Sequence, residues 1–94
     1  MAKLSDDEIQ TALGGLPAWS YAEGALSKRF SFTTFPAGIR FVNRVAEVAE
    51  QVGHHPDITI TYTTITLRLS THDVGGVTEK DLDLARRIDA LGAG

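Results

Sequence analysis

The chain has no cysteine, which removes disulfides, thiolate metal sites and thiol catalysis together and points to a reducing compartment. No run of residues approaches the roughly 20 apolar positions that a membrane helix needs. The opening Met-Ala-Lys-Leu-Ser-Asp-Asp-Glu also lacks the apolar core of a secretion leader. A cytoplasmic chain with neither leader nor membrane anchor is the expectation. Basic blocks are absent too: 9 Lys and Arg against 12 Asp and Glu leave a net charge of -3, so nothing is arranged to neutralise a row of phosphates, and direct contact with nucleic acid is not expected. No repeat, low-complexity tract or linker divides the sequence, and 94 residues fit one domain spanning 1–94. An apolar share of 43% supports a core. A domain so small has little stability to spare, and assembly of copies would add to it.

What is present has clear periods. Ser5 and Glu8 have the spacing of a capping box, opening a helix over about 6–13 that carries Ile9, Ala12 and Leu13 inward and stops at Gly14-Gly15. Two short strands, from Trp19 to Tyr21 and from Leu26 to Phe32, flank Glu23-Gly24 as a hairpin. Trp19 is expected in the core. Thr34 caps a long helix with Phe35 and Pro36 in its first turn, running to about Val52 and closed by Gly53. Its stripe is Ile39, Val42, Val45, Ala46, Ala49 and Val52, and Phe41 and Val48 widen the apolar arc, as in a helix that faces two partners. From Asp57 to Thr71, β-branched residues alternate with threonine, and the phase flips between Tyr62 and Ile65, which predicts a turn at Thr63-Thr64 with Tyr62 packed on the even face beside Ile58 and Ile60. Thr78 and Asp81 form a second capping box before a helix with Leu82, Ala85, Ile88 and Leu91 on one face, and a frayed Gly-Ala-Gly tail follows at 92–94. The order α-β-β-α-β-β-α predicts an α+β domain, with a four-stranded antiparallel sheet and helices packed on one face.

All 3 histidines fall between positions 54 and 72. A turn at Thr63-Thr64 pairs Tyr62 with Ile65, Ile60 with Leu67 and Ile58 with Leu69, and the same ladder continued outward brings His55 opposite His72, with His54 near Asp73. Pro56 weakens that extrapolation, since it donates no ladder hydrogen bond. Imidazoles gathered at one strand end suit general acid-base chemistry, because they exchange protons near neutrality. They also suit a metal with an open position, although adjacent histidines on an extended strand point apart and no His-x-His or HExxH spacing occurs. A merely structural cluster is the bland reading. The pattern alone leaves acid-base and metal close.

The spacing Glu50, three residues, His54-His55-Pro56, five residues, Tyr62, nine residues, His72, eight residues, Asp81 is more specific. Within AEQVGHHPDITITY and LSTHDVGGVTEKDLDLA it resembles the signature of the pterin-4a-carbinolamine dehydratases, and the resemblance extends upstream to Trp19 in PAWSYAEGALSKRFSF. It implies conversion of a 4a-hydroxytetrahydropterin to quinonoid dihydropterin and water, downstream of aromatic amino-acid hydroxylases, without metal or organic cofactor. It also implies assembly into homodimers or homotetramers, and it assigns His54, His55 and His72 to the active site. From their expected convergence at the hairpin mouth, His54 and His72 are expected to transfer protons and His55 to orient the pterin, with acid and base unassigned between the pair. Glu50, Ser70, Thr71 and Asp81 are expected to contact the substrate or a histidine, with Asp81 doubling as the helix cap. One departure stands out. Some family members carry aspartate where this chain has Gly53, so either activity is lower here or Glu50 or Asp73 takes over as the carboxylate for the first histidine. Because the fold has scaffold-like relatives, a non-catalytic assembly or dimerisation factor is the alternative function.

Overall fold

The computed structural model describes residues 2–92; the last two residues of the expected frayed tail lie outside the described residues. The elements are α1 (Asp6–Leu13), β1 (Ser20–Ala22), β2 (Ala25–Ser31), α2 (Phe35–Val52), β3 (Asp57–Thr61), β4 (Thr64–Leu69), a 3-10 turn at His72–Val74, and α3 (Glu79–Asp89). The architecture is the expected α+β arrangement of three helices and four strands; the 3-10 turn is an addition. All neighbouring strands are antiparallel and the order across the sheet is β1-β2-β4-β3.

Local chemistry accounts for most of the boundaries. Both capping boxes form: Ser5 with Glu8 starts α1, and Thr78 with Asp81 starts α3. In the first, the Ser5 backbone amide holds the Glu8 carboxyl below its usual range. Glu23 and Gly24 both take positive φ, 53° and 75°, in the two-residue turn joining β1 to β2, a geometry that matches strand twist. Thr34 accepts a hydrogen bond from the Ala37 amide at the head of α2, and Gly53 closes that helix at φ 66°, in the left-handed region.

The core lies between the sheet and the helices. Ile65, Leu67 and Leu69 of β4 are fully buried, whereas the alternate Thr66 is half-buried and Arg68 exposed, the period-2 pattern of a sheet covered on one side. Trp19 is buried, as expected, and its indole nitrogen donates to Asp89 Oδ1 at 3.0 Å. On α2 the buried line is Gly38, Phe41, Val45 and Ala49. Phe41, expected at the side of the stripe, is therefore at its centre, and Ala46 is exposed. The reason is aromatic packing: Phe41 stacks on Phe30 and Phe32 of the β2 region, with ring centroids 4.7 and 5.2 Å away, and those contacts set the rotation of the helix.

The β3–β4 turn also differs from expectation. Thr61 pairs with Thr64, Ile60 with Ile65 and Ile58 with Leu67, so the turn residues are Tyr62 and Thr63. Long-range pairing decides this. β2 runs against β4 through six pairs ending at Ser31 with Thr64, and Thr64, held in that ladder, is not free to turn. Tyr62 consequently takes φ 49° at the tip and is 73% exposed, not packed.

A Cβ at Gly38 would meet Ile65 at 3.4 Å and Phe32 at 3.6 Å, ordinary contact distances. Gly38→Ala is therefore expected to stabilise the fold by about 0.5–1 kcal/mol through reduced backbone entropy of the unfolded chain. Urea unfolding measures it, and a lower midpoint would show that the α2–β4 contact cannot yield. Among the described residues no helix is long and apolar enough to cross a membrane.

Candidate active site

The corrected register moves the histidines. Extending the β3–β4 pairing beyond Asp57 and Arg68 sets His55 across from Ser70 and His54 across from Thr71, not His55 across from His72. His72 instead starts the 3-10 turn that follows β4. The three still meet: Gly53, His54, His55, Ser70, Thr71 and His72 line one open cleft of about 390 Å³, together with Asp73 and Lys80. The strand ends supply one wall and the 3-10 turn the other, and Lys80 reaches the cleft from the first turn of α3.

Beneath the cleft lies a buried polar chain. The Thr78 hydroxyl is 2.9 Å from that of Thr71, Thr71 donates to Asp81 Oδ2 at 2.8 Å, and the Thr78 amide donates to the same oxygen at 2.9 Å. The other carboxylate oxygen, Oδ1, is 2.6 Å from His54 Nε2. Asp81 is fully buried, and the His54 side chain is 13% exposed. Among the described residues every buried side-chain nitrogen and oxygen has a partner, as a buried polar network requires. A carboxylate with one oxygen already accepting two hydrogen bonds is an acceptor on the other as well, which assigns the His54 proton to Nε2 and leaves the Nδ1 lone pair free. This is the imidazole-carboxylate pairing that fixes a ring's tautomer and direction.

His55 is held differently. Its Nε2 lies 2.6 Å from Glu50 Oε1, with the two side chains 61% and 77% exposed, so water weakens that pair. The carboxylate that serves the first histidine is therefore Asp81, from α3, and neither Glu50 nor Asp73. Gly53 fits this arrangement as the left-handed residue that ends α2 and turns the chain into the cleft.

Comparison with known proteins identifies the family. The sequence model of the family described as Pterin 4 alpha carbinolamine dehydratase matches residues 2–91. The chain belongs to that family. A candidate pterin-4-alpha-carbinolamine dehydratase of Nocardia farcinica is 52% identical over 88 residues, covering 94% of this chain and 93% of the relative. A second, from Mycobacterium tuberculosis, is 50% identical over 91 residues and 97% of each chain. Among solved structures, a transcriptional coactivator/pterin dehydratase from Brucella melitensis superposes with a TM-score of 0.93 at 33% identity, over 99% of this chain and 100% of that one. A pterin dehydratase-like RuBisCO assembly factor of the alpha-carboxysome superposes less closely, with a TM-score of 0.65 at 27% identity over 81% of this chain and 89% of that one.

Of the seven residues expected at a dehydratase site, five line the cleft: His54, His55, Ser70, Thr71 and His72. Glu50 stands outside, behind His55, and Asp81 lies below with no exposed surface. Two residues escaped the sequence reading. Thr78 was visible as a helix cap, yet its hydroxyl also supports Thr71. Lys80 carried no signal except its place next to Asp81, and only the position of the α3 start brings it to the cleft. Among the described residues no three His, Asp or Glu side chains are placed to share a metal ion.

Proposed function

We propose that this protein dehydrates a 4a-hydroxytetrahydropterin to the quinonoid dihydropterin by histidine general acid-base catalysis, as a hydro-lyase in tetrahydropterin recycling. The observation that carries the reading is the buried Asp81 bonded to His54 at the wall of a cleft that His55 and His72 also line. The reaction requires two proton movements on one small molecule: the N5 proton leaves, the C4a hydroxyl gains a proton and departs as water, and the C4a–N5 double bond forms. No proton is gained or lost overall. A pair of imidazoles, one neutral and one protonated, meets that requirement near neutral pH.

In this mechanism His54 and His72 are the proton-transfer pair. His54 presents Nδ1, the nitrogen left free by its bond to Asp81, and Asp81 steadies the ring when it becomes an imidazolium. His55, tethered to Glu50, lies against the pterin and orients it, and Ser70 lines the same cleft for a hydrogen bond to the ring, whereas the Thr71 hydroxyl is committed to Asp81 and Thr78. Asp81 acts through His54 and is a positioning residue.

Stopped-flow dehydration of the carbinolamine tests this. His54→Ala and His72→Ala are each expected to lower the rate by about 10²–10⁴-fold, with the double variant close to the uncatalysed rate and His55→Ala acting mainly on KM. A double variant that keeps the wild-type rate would remove the proposal. Were the wild-type protein inactive with every pterin carbinolamine offered, the solved assembly-factor relative would favour a scaffold role. The wide apolar arc of α2, with Val42, Val48 and Val52 only half-buried, supports a homodimer or homotetramer, which light scattering on the purified chain would measure.

A further inference from the structure

A cleft larger than the histidine site lies elsewhere on the molecule. It has a volume of about 600 Å³ and lies between the end of β2, the N-terminal half of α2 and the segment after α3. Its lining includes Ser31, Phe32, Thr33, Arg40, Phe41 and Arg44, and it shares no residue with the histidine cleft. Arg40 and Glu50 are ten residues apart on α2, or about 15 Å along the axis, so the two clefts sit toward opposite ends of that helix.

Three features make this cleft unlike a passive groove. Arg40 and Arg44 are one turn apart on α2 and project to the same side. Lys28, Arg68 and Arg87 are matched by Asp89, Asp57 and Asp83, but neither of these two arginines has a carboxylate within salt-bridge distance among the described residues. Among the described residues the cleft lining contains no Asp or Glu, in a chain whose net charge is -3. Second, Arg44 is already positioned: its Nη2 donates to the Leu91 carbonyl at 2.6 Å, which restricts the guanidinium, and its remaining donors have no partner among the described residues. Third, the wall beside them is aromatic. Half-buried Phe32 rests on Phe41 with centroids 5.2 Å apart and planes inclined by 38°, next to the Ser31 and Thr33 hydroxyls. Paired guanidinium groups favour a carboxylate through charge-assisted, bidentate hydrogen bonds, and an aromatic wall favours a flat ring over an aliphatic one.

We propose that this cleft is a second ligand site, separate from the histidines, for a small aromatic carboxylate: the carboxylate on Arg40 and Arg44, the ring against Phe32. The site stands on its own geometry and does not depend on the dehydratase reading.

Titration of the isotopically labelled full chain with 2-naphthoate, followed by amide chemical shifts, tests it. Saturable shifts are expected at Ser31, Phe32, Thr33, Arg40 and Arg44, with none at 54–56 or 70–73, and a Kd of about 1 mM or tighter for a ligand of this size. Arg40→Gln and Arg44→Gln, both at exposed positions, are each expected to weaken binding about 10-fold, as befits loss of a charge-assisted hydrogen bond. Arg40→Lys, which keeps the charge and loses the fork, is expected to weaken it several-fold, and provides the test if a glutamine variant fails to fold. Cyclohexanecarboxylate and inorganic phosphate are expected to bind more weakly than 2-naphthoate. Shifts centred on the histidine cleft, no saturable shifts, unchanged affinity in the folded arginine variants, or equal binding of cyclohexanecarboxylate or phosphate would each overturn the proposal.

Discussion

Asp81→Asn is expected to leave the protein folded and abolish most of the proposed dehydratase activity. An asparagine oxygen still accepts from the Thr78 amide, as Asp81 Oδ2 does now at 2.9 Å, so the α3 cap survives. The group facing His54 then becomes an amide NH2, a donor, in place of a carboxylate oxygen at 2.6 Å. To keep a hydrogen bond His54 must accept at Nε2 and carry its proton on Nδ1, the nitrogen proposed to face the pterin. The ring keeps its place with its proton on the wrong side. The expected loss in kcat is about 10²–10⁴-fold, the range spanned by positioned acid-base groups, with KM changed little because Asp81 has no exposed surface. Steady-state kinetics on the carbinolamine, beside a thermal melt of the variant, separate this from unfolding. An active, stable Asp81→Asn protein would mean that His54 does not work through that carboxylate.

Leu67→Ala is expected to cost the largest share of stability. Leu67 is fully buried in β4, the strand that pairs with both β2 and β3. Truncation there removes the transfer energy of three carbons and leaves a cavity bounded by paired backbone on both sides, with little room to collapse. The expected loss is about 2–5 kcal/mol, from a total of order 5–15 kcal/mol for a domain. Each kcal/mol lowers Tm by about 4–8 °C at this size, so the melt should fall by roughly 10 °C or more. Arg68→Ala, one residue on, removes an exposed pair with Asp57 and should change stability by less than about 1 kcal/mol. Equal effects at the two positions would contradict the burial pattern.

The five helix and strand signals with local causes were readable from the chain alone. Capping boxes at Ser5 and Thr78, the Gly53 stop, the Glu23-Gly24 turn and the alternation on either side of Tyr62 all act within a few residues, and each produced the expected element. Gathering the histidines near one strand end was also legible, because the hairpin brings 54–55 and 70–72 together under either register. The family was legible too, since its signature is a spacing within the sequence.

What the chain by itself determined, then, was the order and type of its elements, the family, and the neighbourhood of His54, His55 and His72. Tertiary structure decided the rest. The β3–β4 register depended on β2 capturing Thr64, a pairing more than thirty residues away in sequence. The rotation of α2 depended on Phe41 meeting Phe30 and Phe32. The partner of His54 depended on α3 returning its first turn to the mouth of the hairpin, which put the buried Asp81, and not the nearer Glu50, within 2.6 Å of the ring. Local hydrogen bonding and periodicity set an element because their energies act between neighbours in the chain. Register, helix rotation and the choice of carboxylate are settled by packing between distant segments, and such contacts leave no spacing to read.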